Sequence, residues 1–395
     1  MMQSDPIVIV SAKRTPIGGF QGALSTATSP QLGATAIRSA LDSAENKDLN
    51  VDEVTMGCVL PAGLGQAPAR QAALGAGLAQ SVPCTTINKM CGSGMKAAML
   101  AHDALLCGSA NVAVAGGLES MSNAPYLLPK ARSGMRMGHA KTLDHMFLDG
   151  LEDAYEPGRL MGTYAENTAA YFGFSREEQD AFARCSFERA RDAATSGAFD
   201  NEIAPQTVKT KRSDVVVNAD EAPDLIDIEK IPTLRAAFAE NGTVTAANSS
   251  SISDGAAALL MMRESHAIEF GEKPLARILA HHSYAHEPAW FTTAPVHAIT
   301  GVLDRINRSV NDIDLFEINE AFAVVTMATM RELKIPHERV NVHGGACALG
   351  HPIGASGARI LVTLIHALHK YNKTLGVASL CIGGGEATAM AVERM

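Results

Sequence analysis

The sequence predicts an α/β protein of two similar halves, and three observations carry that prediction. Short β-branched runs alternate with helix-forming segments at both ends of the chain, which implies strands joined by helical crossovers. A unit of glycine turn, helix, apolar strand and glycine pair occurs twice, at Gly92-Ser93-Gly94 to Gly116-Gly117 and at Ala355-Ser356-Gly357 to Gly383-Gly384. Between them the character changes: residues 121–243 are rich in Met, Pro, Gly and charge and poor in strand signals.

Taken in order, Ile7-Val8-Ile9-Val10 reads as a buried strand and Arg14 to Gly19 as the turn leaving it. Ser29-Pro30 opens a helix to about Ala44, with Ser29 as its cap. Val51 to Val59 is a strand, Ala67 to Leu78 a helix, Cys84 to Ile87 a strand, and Ala97 to Leu106 the body of another helix. Asn111 to Gly117 completes the first half, with its strands expected to be parallel. In the inserted segment, Ser175 with Glu178 forms a capping box for a helix to Ser196. Val244 to Ser250 returns to the core, and Gly255 to Met262 is a further strand. The second half has strands at Pro274 to Ala280, Leu315 to Ile318 and Gly376 to Ile382, and helices at Ala294 to Ile306, from Asn319-Glu320-Ala321-Phe322, and from Gly354 to about His369. The expected units are 1–120 completed by 244–270, a loop domain 121–243 over a binding cleft, and 271–395.

The chain has 395 residues, 47% of them hydrophobic and 19% charged, enough for two or three cores. A net charge of -9 argues against a nucleic-acid partner or a basic membrane patch. Seven scattered cysteines with no C-x-x-C pair read as reduced thiols, without a disulfide framework or zinc ribbon. No apolar run is long enough to cross a bilayer. The polar segment Met1–Pro6 running into the first strand leads us to expect no signal or transit peptide, and hence a cytoplasmic protein.

The chemistry gathers at glycine-rich joints. Cys91 falls where a strand gives way to a helix, so unpaired helical N–H groups and the positive end of the helix dipole should favour its thiolate. Asn319, His351 and Cys381 also stand at ends of strands or starts of helices. Taken singly, each has a plain structural explanation: a small buried thiol, a turn histidine, a helix cap.

Four stretches alter that balance: Asn88-Lys89-Met90-Cys91-Gly92-Ser93-Gly94, Asn319-Glu320-Ala321-Phe322, Gly350-His351-Pro352-Ile353-Gly354-Ala355-Ser356-Gly357-Ala358-Arg359 and Cys381-Ile382-Gly383-Gly384-Gly385. In this order they resemble the thiolases, particularly those acting on acetoacetyl-CoA, and the similarity covers nearly the whole chain. The resemblance implies a five-layered core of duplicated α/β domains. It implies a reversible Claisen condensation of two acetyl-CoA into acetoacetyl-CoA and CoA, with CoA as substrate and product, no permanent cofactor and no metal. By the same resemblance Cys91 carries the acyl group, His351 takes its proton, and Cys381 handles the Cα proton of the second acetyl-CoA. Asn319 positions a water that forms one oxyanion hole with His351, and the Cys91 and Gly383 amides form the other. CoA is expected against Leu151, Met161, Ala237, Phe238, Ala246, Ser250, Ala321 and Phe322, and the assembly is expected to be a homotetramer or homodimer.

The chain also departs from the family. Leu160 stands where a histidine usually precedes Met161-Gly162, residues 219–228 are acidic and lack the usual arginine or tyrosine, and Trp290-Phe291 replaces a methionine-containing segment. The alternatives to be weighed are a 3-ketoacyl-CoA thiolase of longer chain length and a non-catalytic acyl-CoA-binding relative.

Overall fold

The computed structural model describes residues 5–211 and 213–395. Residues 1–4 of the amino-terminal segment lie outside that range, and the expectation placed on it is left there. The main elements are β1 (Ile7–Arg14), α1 (Ser29–Asp42), β2 (Glu53–Gly57), α2 (Pro68–Gly75), β3 (Cys84–Ile87), α3 (Ser93–Cys107) and β4 (Val112–Ser120). There follow α4 (Met161–Phe172), α5 (Arg176–Thr195), β5 (Ser253–Arg263), β6 (Ala276–Ala285), α6 (Ala294–Arg305), β7 (Leu315–Ile318), α7 (Ala323–Leu333), α8 (Ile353–Lys370), β8 (Leu375–Ile382) and β9 (Glu386–Arg394).

These strands form one sheet in the order β7-β8-β9-β6-β1-β5-β4-β2-β3. The expectation of parallel strands holds only for β2 with β3 and β4, and for β7 with β8. The pairs β1–β5, β4–β5, β1–β6, β6–β9 and β8–β9 are antiparallel. Helical crossovers keep direction, whereas the long insertion brings β5 back reversed and the tight turn Gly383–Gly385 folds β9 onto β8.

Alternation along the strands divides the core into layers. In the first half Ile7, Ile9, Leu259 and Met261 face the central helices α3 and α8, while Val8, Val10, Leu260 and Met262 face α1 and α2. In the second half Ala378, Leu380, Met390 and Val392 join the same central cluster, and Val377, Ala389 and Ala391 face α6. The two halves of this sheet, joined by the short β1–β6 pairing at Val8–Arg277 and Ile9–Ala276, both pack on the central cluster, giving the order helix, sheet, helix, sheet, helix with α3 and α8 in the middle. Close packing there requires small residues: a Cβ on Gly357 would come 2.3 Å from the Met95 amide nitrogen.

Local capping agrees in part with the sequence. Ser175 and Glu178 form the expected box on α5. On α1 the cap is Thr28, boxed with Gln31, and Ser29 is already helical. Residues 319–322 are a non-helical connector, and α7 begins only at Ala323. Among the described residues no helix is long and apolar enough to cross a membrane.

Candidate active site at the joint of the two halves

The turn that carries Cys91 is held by its own side chains. The Met90 amide donates to Asn88 Oδ1 at 2.8 Å, and Ser93 Oγ donates to the Met90 carbonyl at 2.6 Å. These bonds hold Met90 at φ 47°, a left-handed conformation that a methionine rarely adopts. The reversal places Cys91, partly buried, in the wall of a cavity, one residue ahead of the α3 cap at Gly92. A Cβ on Gly92 would come 2.3 Å from Ile382 Cδ1, so a side chain there would force Ile382 to shift. Lys89 pairs with Glu386 across the joint, tying this turn to the Gly383–Gly385 hairpin.

A cavity of about 400 Å³ opens above this joint. Cys91, His351, Cys381 and Gly383 all line it. So do all eight residues expected to meet CoA: Leu151, Met161, Ala237, Phe238, Ala246, Ser250, Ala321 and Phe322. Asn319 does not; it is fully buried, its Nδ2 has no partner among the described residues, and Oδ1 accepts a long 3.5 Å bond from Arg359. A buried amide with two unused protons suits a bound water.

The titrating groups are all shifted toward their neutral forms. Burial pushes the Cys91 thiol up to about 11, against the amide N–H groups of Gly383 and Cys91 itself, which pull it down. The low thiol pKa expected from the helix start is therefore corrected: only two amides reach the sulfur, and desolvation outweighs them. Burial and the neighbouring Cys91 raise the Cys381 thiol well above its usual value. Burial and the Arg359 charge push His351 down to about 3.

Ser356 Oγ lies 2.9 Å from the Pro352 carbonyl, to which it donates, and 2.5 Å from His351 Nδ1, an arrangement that favours the tautomer with its proton on Nδ1. In that tautomer Nε2 carries the lone pair, and among the described residues it has no partner. An unpartnered imidazole nitrogen in a cavity with two thiols is poised to take a proton.

Sequence reasoning passed over several supports. Ser356 stands out in the sequence only as part of a glycine-rich motif. Glu119 is fully buried, accepts from the Val59, Leu60 and Gly354 amides at 2.9, 3.2 and 2.9 Å, and is pushed up to about 7 by burial. It joins the loop after β2 to the start of α8, and only its neighbourhood, not its partners, was legible. Ser249 lines the cavity with an unpartnered hydroxyl, beside the predicted Ser250, whose Oγ donates to the Ala321 carbonyl at 3.0 Å and is left as an acceptor. The acidic departure at 219–228 has an internal use: Asp220 pairs with buried Arg14 at 2.7 and 2.8 Å, and Glu221 accepts from the Gly19 and Ala23 amides. Leu160 and Phe291 both line the cavity.

Comparison with known proteins agrees with this geometry. The family description "Thiolase, N-terminal domain" matches residues 7–265, and "Thiolase, C-terminal domain" matches residues 272–394. The chain belongs to the thiolase family. A mitochondrial acetyl-CoA acetyltransferase of Rattus norvegicus is 48% identical to this thiolase over 98% of the chain and 91% of its own length. The acetyl-CoA acetyltransferase of Schizosaccharomyces pombe is 45% identical with both chains fully covered. The crystal structure of the Bacillus anthracis acetyl-CoA acetyltransferase superposes with a TM-score of 0.96 at 40% identity, covering 99% of each chain.

Proposed function

We propose that this thiolase interconverts two acetyl-CoA with acetoacetyl-CoA and CoA through an acetyl-cysteine intermediate. The observation that carries the reading is one cavity lined by two thiols and an imidazole with a free lone pair. In the first half-reaction His351 Nε2 takes the Cys91 proton as the sulfur attacks the acetyl thioester. The C–S bond to CoA breaks, and the same proton leaves with the CoA thiol. In the second, Cys381 gives its thiol proton to His351 Nε2, and the resulting thiolate removes a Cα proton from another acetyl-CoA. The carbanion attacks the acetyl carbon on Cys91, the Cys91–acetyl bond breaks, the Cys91 sulfur recovers the proton from His351, and acetoacetyl-CoA departs.

The charge that develops on the thioester oxygens needs donors already in place. The Gly383 and Cys91 amides, which now face the Cys91 sulfur, are suited to the acetyl-cysteine oxygen. A water held by Asn319, together with His351 once Nε2 carries the proton taken from Cys381, serves the oxygen of the second acetyl-CoA. CoA lies along the eight cavity residues, with Ser250 Oγ accepting from a pantetheine amide. The Phe291 ring in the cavity wall favours a short acyl group over the longer chains of a 3-ketoacyl-CoA thiolase. An intact set of reacting groups speaks against a non-catalytic acyl-CoA binder. The reading requires no metal and no permanent cofactor. It also keeps the family expectation of a homotetramer or homodimer in the cytoplasm, with relatives named as mitochondrial marking location as the point to check by fractionation.

Steady-state thiolysis across chain lengths tests the substrate. Acetoacetyl-CoA should give the highest kcat/KM, with 3-ketohexanoyl-CoA and longer substrates well below it. A clear preference for the longer chains would overturn the assignment.

A further inference from the structure

Away from the cavity, α3 and β6 bring together three side chains that the condensation does not use. His102 and Asp103 are consecutive on α3, and His281 arrives from β6 in the other half of the fold. Consecutive helical side chains normally diverge, yet His102 Nδ1 and Asp103 Oδ1 lie 3.2 Å apart. His281 Nε2 completes the triangle at 3.2 Å from His102 Nδ1 and 3.1 Å from Asp103 Oδ1. The two imidazoles stand nearly perpendicular, 88° apart, with ring centroids 4.9 Å from each other.

Those edges have a chemical meaning. Ligands about 2.0–2.1 Å from a metal are roughly 3.3 Å apart in a tetrahedron and roughly 2.9 Å apart in an octahedron. The observed triangle falls between, so one ion can reach all three atoms while keeping open positions toward solvent. Both imidazoles are mostly buried, with side chains 12% and 17% exposed, and Asp103 is about half exposed and forms the mouth. Two nitrogens and one carboxylate suit a late first-row divalent ion better than calcium or magnesium. Lys96 lies close enough to act on the His281 charge, and Arg305 donates to the His281 carbonyl at 2.6 Å. These cations oppose a second positive charge and set the affinity below that of a structural zinc site.

We propose that His102, Asp103 and His281 form a binding site for a divalent transition-metal ion, zinc in particular, that staples α3 to β6. The ion would join the helix that begins two residues after Cys91 to a strand of the opposite half, far enough from the cavity to leave the chemistry alone.

Cobalt(II) tests the site, because its spectrum distinguishes these ligands from the active-site thiols. Metal-free full-length protein should bind one equivalent with weak visible bands and no intense thiolate-to-cobalt absorption. Zinc should compete for the same equivalent and raise the Tm. Asp103→Asn and His281→Asn should weaken binding by roughly 100-fold or more and abolish the zinc-dependent Tm rise. Turnover should stay unchanged in both, and Asp103, being exposed, can be replaced without loss of fold. Absence of saturable cobalt bands in the wild type would overturn the proposal. So would intense thiolate absorption, or unchanged affinity in Asp103→Asn.

Discussion

The starts of α3 and α8 are the same device used twice. Cys91 stands one residue ahead of the α3 cap, and His351 stands one residue ahead of the α8 cap. Each follows a residue with positive φ, Met90 at 47° and Gly350 at 106°. The approaches differ: the first half enters from a strand, Cys84–Ile87, and the second from the short helix Ala346–Leu349. Duplication therefore supplies the scaffold, and the residue aimed by it supplies the chemistry. One half presents a sulfur, the other an imidazole, and the surroundings hold both neutral. Charge must then appear by proton transfer when substrate arrives, instead of standing ready as a thiolate–imidazolium pair.

Removing the sulfur breaks this comparison most severely. Cys91→Ala should abolish covalent labelling by acetyl-CoA and lower kcat by roughly 10⁴-fold or more. Mass spectrometry of the intact protein checks the label, and persistence of the label would mean that another residue carries the acyl group. Cys381→Ser should slow condensation by roughly 10²-fold while Cys91 still becomes acetylated, separating the two half-reactions.

A smaller effect belongs to the support under His351. Ser356→Ala removes the acceptor that holds Nδ1–H, so the imidazole can populate the tautomer with no lone pair toward the cavity. Loss of about tenfold in kcat is expected, with KM little changed. An unaltered kcat and pH profile would show that Ser356 does not set the tautomer.

Acid stability gives a fourth check. His351 and His343 are pushed down to about 3 and about 4 by burial, whereas unfolding restores ordinary imidazoles. The unfolded chain therefore binds more protons below the usual histidine range, and stability present above it is lost as pH falls toward these values. Glu119, raised to about 7, acts in the opposite sense between the usual carboxylate range and pH 7. Below that range the histidine contribution is unopposed by Glu119, and the unfolding free energy from denaturant titrations should drop by about 1.4 kcal/mol per pH unit for each proton taken up. A flat profile from pH 4.5 to 3.5 would contradict it.

Much of this arrangement could be read in the sequence because it depends on local signals. Glycine turns, β-branched runs and the Ser175 capping box act over a few residues, and the four quoted motifs mark the family. What escaped depends on the path of the chain. The antiparallel pairs come from the reversed entry of β5 and from β9, whose Ala-rich run Glu386–Arg394 carries little strand signal. Asn319 was expected at a helix start, but the helix waits until Ala323, which leaves the asparagine fully buried. The Cys91 thiol was judged from its nearness to a helix, while its shift is decided by desolvation from both halves, which no spacing reveals. The supports Glu119 and Ser356 act through partners as distant as 235 residues in the first case and as near as five in the second.

The most direct measurement is the pH dependence of Cys91 alkylation by iodoacetamide, followed on the Cys91 peptide in the free enzyme. A resting neutral pair predicts a rate that climbs steadily through the alkaline range with its inflection near 11. A plateau already reached at pH 7, lost in His351→Asn, would reveal a standing thiolate–imidazolium pair and contradict the account.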